Sequence, residues 1–285
     1  MIVFAFLFGL IFGSFANVIL VRLNTGESIV TKGSRCFSCA KKLKWFDLVP
    51  IVSFFALRGR CRFCKSKISI QYPIVELGTG ILFLLLFLNF YFGFDLLFGF
   101  WHLSLERFLI LGYWLLIVAA WYMLWVASLY DLRHMILPDR LLIFAFFFGV
   151  AALGVSYVLP LTHNPFLITH SLSPITHYSL LYQFGAAFLA SLFFFFLWFL
   201  SHGKWMGLGD AKFVFVLAPL FSPLLLLIAL MLSFVIGTIA SVSLLLFRKA
   251  DMKTKVPFGP FLFLGALISF LGGTPIFDWY LGLFM

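Results

Sequence analysis

Charged residues are scarce in this sequence, and acidic residues are the scarcest of them. Among 285 residues there are ten Asp and Glu against twenty Lys and Arg, and 64% of the chain is hydrophobic. A soluble domain has about a quarter charged residues, so this composition excludes an ordinary water-soluble enzyme. The ten-residue alternation of a membrane β-barrel is also missing. The class that remains is a bundle of membrane-spanning helices.

The N-terminus lacks the features of a cleaved signal peptide. Met1 to Leu10 contains no basic residue, and the first one, Arg22, follows the apolar run instead of preceding it. We interpret this segment as a retained first span with its N-terminus outside the cell. Nucleotide-binding signatures are absent too, because no G-x-G-x-x-G follows a strand pattern and no Walker-type lysine loop occurs.

Long apolar runs predict about eight membrane spans. They cover residues 2–21, 74–92, 108–130, 140–159, 179–200, 211–222, 224–247 and 257–283. The sixth run is short and ends at Ser222-Pro223, which is typical of a tilted or broken half-helix. The last contains Gly272, Gly273 and Pro275, and we expect it to be irregular. The predicted fold is therefore an all-α, polytopic membrane bundle.

The basic residues indicate how this bundle is oriented. With the N-terminus outside, the inner loops are 22–73, 131–139, 201–210 and 248–256, and these with their flanks hold 19 of the 20 Lys and Arg. Only Arg107 lies elsewhere, and the outer loop 160–178 has neither Lys nor Arg but three histidines, His163, His170 and His177. The positive-inside rule assigns the basic loops to the cytosol. The net charge of +10 thus reflects topology, and we expect the lipid bilayer as a partner and no nucleic acid.

This pattern divides the chain into three regions. Residues 1–21 form the first span, residues 22–73 a basic cytosolic insert, and residues 74–285 the remaining bundle.

All four cysteines of the chain lie in the insert, as the pairs Cys36/Cys39 and Cys61/Cys64. Two C-x₂-C turns can present four thiolates tetrahedrally to one Zn²⁺, as in a zinc ribbon. A site with four protein ligands has no open position, so the predicted metal is structural. A dithiol redox site and unpaired cysteines are the alternatives.

Two aspartates follow membrane spans on the predicted cytosolic face. Asp131 follows the third span, and Asp210 follows the fifth within Gly207-Leu208-Gly209-Asp210. Two carboxyl groups held close together share one proton, which is the arrangement that aspartic proteases use to hydrolyse amides. The glycines leave room for a substrate backbone.

The acidic residues near these spans also fit simpler, non-catalytic roles. Asp131 can be a solvated loop residue, while Asp139 and Asp210 can cap helices. The residues alone do not decide between Asp131 and Asp139 as the partner of Asp210. Lys212 can steady the Asp210 carboxylate or anchor its helix at the membrane interface, and His134 fits an interface residue better than a ligand.

Six segments in order resemble the prepilin peptidases, the type IV prepilin leader peptidase/N-methyltransferases of the GxGD aspartic peptidase type. The resemblance covers nearly the whole chain. The segments are Phe12 to Val18, the cysteine insert with Ser34 to Cys39 and Arg58 to Cys64, Tyr72 to Leu77, Asp131 to Asp139, Gly207 to Lys212 and Pro257 to Phe261.

The resemblance implies that Asp131, not Asp139, is the first catalytic aspartate and that Asp210 is the second. It implies a multi-pass protein of the bacterial inner membrane whose active site faces the cytosol. The implied substrates are type IV prepilins or type II secretion pseudopilins, whose short basic leaders are cut after a glycine. The same enzyme then methylates the new N-terminus from S-adenosylmethionine, a cofactor that rests on the resemblance alone.

The chain departs from the family pattern in the insert, with Ala40 where Gly is frequent and Leu48 where Asn is frequent. These departures bear on methylation more than on proteolysis. The alternative functions are a GxGD intramembrane protease without methyl transfer and a non-enzymatic, zinc-stabilised scaffold or transporter subunit.

The early spans contain three further features that the sequence singles out. Gly9 and Gly13 form a G-x-x-x-G pair, which favours close helix packing. Asn17, one turn further on, fits a hydrogen bond between helices or a methyl-donor site. Glu76 is the sole ionisable residue predicted within the second span, and it fits a functional site or a contact with the basic insert.

Overall fold

The computed structural model describes residues 2–29, 31–91, 105–158, 180–247 and 256–283. Within these ranges the chain is almost entirely helical, with no strand and only two isolated β-bridges. The α-helices, in chain order, are α1 Ile2–Arg22, α2 Val52–Ala56, α3 Gln71–Tyr91, α4 Leu105–His134, α5 Asp139–Val158, α6 Leu180–Ser201, α7 Leu208–Val216, α8 Pro223–Leu246 and α9 Gly259–Gly282. Short 3₁₀ helices occupy Trp45–Leu48 and Ala218–Leu220.

Seven of the described helices are long and apolar enough to cross a membrane: α1, α3, α4, α5, α6, α8 and α9. This confirms the predicted polytopic helical class. The predicted span at 211–222 is instead the nine-residue helix α7 followed by a 3₁₀ turn. Nine helical residues rise about 14 Å, about half of the hydrocarbon thickness. Pro219 and Pro223 interrupt the helix here, because proline has no N–H to donate.

Helix α9 is irregular, as its glycines and proline predict. Gly272 leaves the helical region with φ −149° and ψ 21°, and Pro275 lies within the same helix. The predicted outer loop 160–178 and the basic residues of the loop at 248–256 lie outside the described residues.

The chain forms two compact units, Met1–Asn89 and Phe90–Met285. In the first unit, α1 packs against α3 at a distance that only glycine allows. A Cβ atom on Gly9 would lie 2.8 Å from the Gly80 Cα, and one on Gly13 would lie 2.6 Å from the Glu76 Cα. This confirms the close packing predicted for the G-x-x-x-G pair.

The second unit has an aromatic core around Trp121, which is fully buried. Its ring lies 5.7 Å from that of Phe263, 5.1 Å from that of Phe270 and 6.2 Å from that of Phe221. Aromatic pairs at these separations add to the energy of burial. Because Trp121 belongs to α4 and two of its neighbours belong to α9, this packing holds the two helices together.

Candidate active site

Asp131 lies in the last turn of α4, not in a loop as its position after the predicted third span suggested. The helix continues to His134 because nothing in this segment breaks it before Met135, which has a positive φ of 54°. The Asp131 side chain is buried, with 6% exposure. A solvated loop residue is therefore excluded.

Gly259, the first residue of α9, holds the Asp131 carboxylate. Its N–H donates to Asp131 Oδ2 at 3.0 Å. A Cβ atom on Gly259 would lie 2.7 Å from the same oxygen, so any other residue would push the carboxylate away. The sequence singled out the segment Pro257 to Phe261, but it gave no role for this glycine. Only the folded chain brings positions 128 residues apart into contact.

Asp210 lies in the first turn of α7 and is buried to the same degree, with 6% exposure. Its Oδ2 accepts a hydrogen bond from the Gly207 N–H at 3.1 Å, so this carboxylate also caps the helix. A Cβ atom on Gly209 would lie 2.8 Å from the Leu137 Cβ. Gly209 therefore serves packing against the α4–α5 connection, a reason that the sequence alone did not reveal.

The two carboxyl groups interact electrostatically. Burial and, second, the nearby Asp131 carboxylate raise the pKa of Asp210 to about 7, while the hydrogen bond from the Gly207 N–H acts in the opposite direction. Near neutral pH such a pair holds one proton, so that one oxygen can accept a proton while the other group donates one. The structure thus brings together the two aspartates that the sequence singled out.

Asp139 lies apart from this pair. As the first residue of α5, it forms a salt bridge through Oδ1 with Lys212 Nζ at 2.7 Å, and both side chains are about half exposed. Lys212 therefore pairs with Asp139 instead of steadying Asp210. The ring of His134 stacks on that of Tyr130, with 4.3 Å between the centroids.

The four cysteines of the insert converge in the first unit. Their sulfur atoms all lie within 4.8 Å of one another, and Cys36 Sγ lies 3.7 Å from Cys64 Sγ. A tetrahedral site with Zn–S bonds of about 2.3 Å requires sulfur atoms about 3.8 Å apart. The cluster therefore has the donor set and the spacing to hold a metal ion of this size.

The two C-x₂-C turns have the same backbone. Ala40 N–H donates to the Cys36 carbonyl at 2.9 Å, and Lys65 N–H donates to the Cys61 carbonyl at 3.0 Å. Both Ala40 and Lys65 have positive φ values, 56° and 59°. Isolated bridges close the turns at Arg35/Lys42 and Arg60/Lys67.

Hydrogen bonds favour the thiolate forms of Cys36 and Cys64. The Cys39 N–H lowers the pKa of Cys36 to about 6, and Ser66 lowers the pKa of Cys64. The Lys41 N–H acts in the same direction on Cys39, but burial and the neighbouring sulfur atoms raise the pKa of that thiol to about 11. Four thiolates this close repel one another, and a divalent cation relieves the repulsion.

Comparisons with known proteins agree with both units. The family described as Bacterial Peptidase A24 N-terminal domain matches residues 7–90, and the Type IV leader peptidase family matches residues 117–242. No solved structure matches the chain.

Full-length relatives extend this similarity. A protein of Legionella pneumophila is 31% identical over 253 residues, which cover 88% of this chain and 76% of the relative. Proteins of Pseudomonas aeruginosa and Bacillus subtilis are each 29% identical, covering 96% and 97% of this chain and 91% and 96% of the relatives. All three are named prepilin leader peptidase/N-methyltransferase. The chain therefore belongs to the type IV leader peptidase family.

Proposed function

We propose that this chain is a membrane aspartic endopeptidase that removes leader peptides from type IV prepilins or pseudopilins, with Asp131 and Asp210 as its catalytic residues. One observation carries the proposal: two carboxyl groups are buried near each other, and burial, followed by the Asp131 charge, raises the pKa of Asp210 to about 7. The names of the relatives supply the substrate class.

The chemistry follows from the shared proton. Asp210 carries it at neutral pH and donates it to the carbonyl oxygen of the scissile amide. Asp131, held by the Gly259 N–H, accepts a proton from the attacking water. As the C–N bond of the resulting diol breaks, Asp131 gives the proton it took from water to the leaving nitrogen, and one diol hydroxyl returns a proton to Asp210. The pair then holds one proton again, as it did before the reaction.

We place the site at the cytosolic face of the bacterial inner membrane, with the N-terminus outside. The support is the distribution of Lys and Arg, of which 19 of 20 fall in or beside loops of one side. A basic leader peptide that remains in the cytosol would meet the aspartates there.

The proposal includes N-methylation of the new N-terminus and a structural Zn²⁺. Cys36, Cys39, Cys61 and Cys64 would hold the zinc, and their convergence supports this. S-adenosylmethionine would supply the methyl group, in accord with the names of the relatives. Zinc bound in this way folds an insert that has few buried residues of its own.

Cleavage of a co-expressed prepilin tests the protease. We expect Asp131→Asn and Asp210→Asn each to reduce processing by at least about a thousandfold, because either change removes the charge asymmetry of the pair. Asp139→Asn is the matched control, since that carboxylate pairs with Lys212 instead. If Asp131→Asn or Asp210→Asn processed prepilin as fast as Asp139→Asn, the protease proposal would be wrong, and a non-enzymatic scaffold or transporter subunit would be the remaining interpretation.

A further inference from the structure

Another buried carboxylate lies in the first unit, far along the chain from Asp131 and Asp210. Glu76, in the second turn of α3, is 7% exposed. Its Oε2 accepts a hydrogen bond from the Ile51 N–H at 2.7 Å, and Ser14 of α1 also bonds to it. The carboxylate therefore lies where α1, α3 and the insert meet.

This carboxylate has no cationic partner. Among the described residues of the first unit, the ion pairs involve Glu27, which contacts Arg22, Lys32 and Arg35, and Asp47, which contacts Arg62. The insert carries eleven Lys and Arg, yet none of those described approaches Glu76 within salt-bridge distance. Burying an unpaired charge is costly, and the group persists only where something offsets that cost.

Asn17 adds an acceptor on the neighbouring turn of the same helix interface. Its side chain is 2% exposed, and its Nδ2 donates to the carbonyl oxygens of Gly13 and Tyr72. Its Oδ1 is buried and has no hydrogen-bond partner. Because Tyr72 precedes Glu76 by one helical turn, two under-used acceptors follow each other along the contact between α1 and α3.

The Ile51 backbone is strained in a way that aims its N–H at Glu76. Ile51 has φ 61° and ψ −54°, a conformation that is unfavourable for a β-branched residue. The Val52 N–H donates to the Pro50 carbonyl at 2.6 Å, which makes residues 50–52 a γ-turn of the rare, strained form. Strain of this kind persists where the surrounding structure holds a functional geometry.

We infer that Glu76 and Asn17 form a binding site for an organic ammonium ion, the free amino group of a processed pilin. A buried carboxylate without a counter-ion and a buried carbonyl-type oxygen without a donor together fit a group that brings positive charge and several N–H donors. The inference rests on the proposed function, since only leader removal and N-methylation place a new amino terminus on this protein. It assigns the early spans a role in holding the methyl acceptor.

Glu76 also has the chemistry to prepare the amine. An ammonium group cannot accept a methyl group until it loses a proton. One proton passes from the ammonium nitrogen to a Glu76 oxygen, and the nitrogen keeps the electron pair of that N–H bond. The Asn17 Oδ1 accepts one of the two remaining N–H groups, and Glu76 returns its proton to water after the product leaves.

Peptide binding tests the site without requiring turnover. The full chain in lipid nanodiscs is titrated with a fluorescent 12-residue peptide that has the mature N-terminal sequence of a pilin it processes. The same peptide with an acetylated N-terminus is the reference. We expect the free amine to bind the unaltered chain at least about tenfold more tightly, the size of one charge-assisted hydrogen bond. Glu76→Gln removes this preference, and Asn17→Ala reduces it.

Thr79→Val is the matched control, because Thr79 is buried in the same interface but its hydroxyl bonds to its own helix at the Val75 carbonyl. Metal content and thermal unfolding report whether each variant folds. Should Glu76→Gln fail to fold, the comparison of free and acetylated peptide on the unaltered chain and on Asn17→Ala decides.

Equal binding of both peptides by the unaltered chain, or an undiminished preference in folded Glu76→Gln, overturns the inference. Loss of S-adenosylmethionine binding in Glu76→Gln with the amine preference intact overturns it as well, since the site would then hold the methyl donor. Labelled S-adenosylmethionine tests the proposed methylation separately. No label on mature pilin removes that activity, whatever the peptides show.

Discussion

At the scale of single residues, Asp210 makes the stability of the protein depend on pH. Burial first, and Asp131 second, raise its pKa from 3.8 to about 7. The folded chain then binds this proton more tightly than the unfolded chain. The stabilising contribution is fully present below about pH 4 and is lost as the pH rises through about 7, with a magnitude on the order of a few kcal/mol.

Asp210→Asn removes this titration and isolates its effect. We expect the melting temperature of the unaltered chain, relative to that of Asp210→Asn, to fall as the pH increases from 4 to 8. Thermal unfolding of both proteins in the same detergent over this range measures the difference. Parallel curves would mean that Asp210 binds its proton no more tightly in the folded state.

Gly259 shows what the sequence could and could not predict about the site. The two aspartates were visible because carboxylates beside membrane spans are rare. The glycine that holds Asp131 was not, because its contact depends on how α9 packs against α4. In the same way, pairing of Lys212 with Asp139 became clear only in the folded chain. Sequence patterns therefore identify candidate functional residues, whereas the contacts between those residues depend on long-range packing.

We expect Gly259→Ala to reduce prepilin cleavage at least about tenfold. The added methyl group would lie 2.7 Å from Asp131 Oδ2 and would displace the carboxylate, and a shift of 1 Å can cost about a hundredfold in rate. Gly282→Ala in the same helix is the control, since a Cβ there meets nothing within 4 Å. Equal cleavage rates for the two variants would contradict the positioning role of Gly259.

At the scale of elements, helix bounds followed the sequence closely where apolar runs were long. The first predicted span, 2–21, is α1 Ile2–Arg22, and the seventh, 224–247, is α8 Pro223–Leu246. The prediction differed from the structure where Pro219 and Pro223 divide one apolar region into a short helix and a 3₁₀ turn. Hydropathy measures how apolar a segment is, but it does not register the backbone hydrogen bonds that a proline removes.

Each of the two cysteine turns has one position at which glycine should stabilise the turn. Ala40 and Lys65 occupy equivalent left-handed positions, which cost a residue with a Cβ about 1 kcal/mol more than glycine. We expect Ala40→Gly and Lys65→Gly each to slow loss of the metal to a chelator. Ser38→Gly is the control, because Ser38 is not among the residues with positive φ. Metal loss from Ala40→Gly that is as fast as from Ser38→Gly, or faster, would show that backbone strain does not limit these turns.

At the scale of the whole molecule, the residues of the proposed sites fall into two groups, one in each compact unit. The cysteines, Glu76 and Asn17 belong to residues 1–89, while Asp131, Asp210, Gly207 and Gly259 belong to residues 90–285. Every contact described for the aspartates comes from the second unit. The contacts of the two aspartates therefore lie within one unit, and the cysteine cluster lies within the other.

Removal of the metal should for this reason affect the two proposed activities unequally. Cys61→Ser breaks the cluster at its most buried cysteine, and under the proposal the insert then loses the free energy of metal binding that stabilises its fold. The Ile51 turn that holds Glu76 lies between the two cysteine pairs, so amine binding and methyl transfer should fall at least about tenfold. Leader cleavage should change by less than about threefold, since the aspartates keep their own contacts.

Metal content, prepilin cleavage and transfer of labelled methyl groups, measured on one preparation, test this division. An equal loss of cleavage and methylation in Cys61→Ser would show that the peptidase also depends on the folded insert.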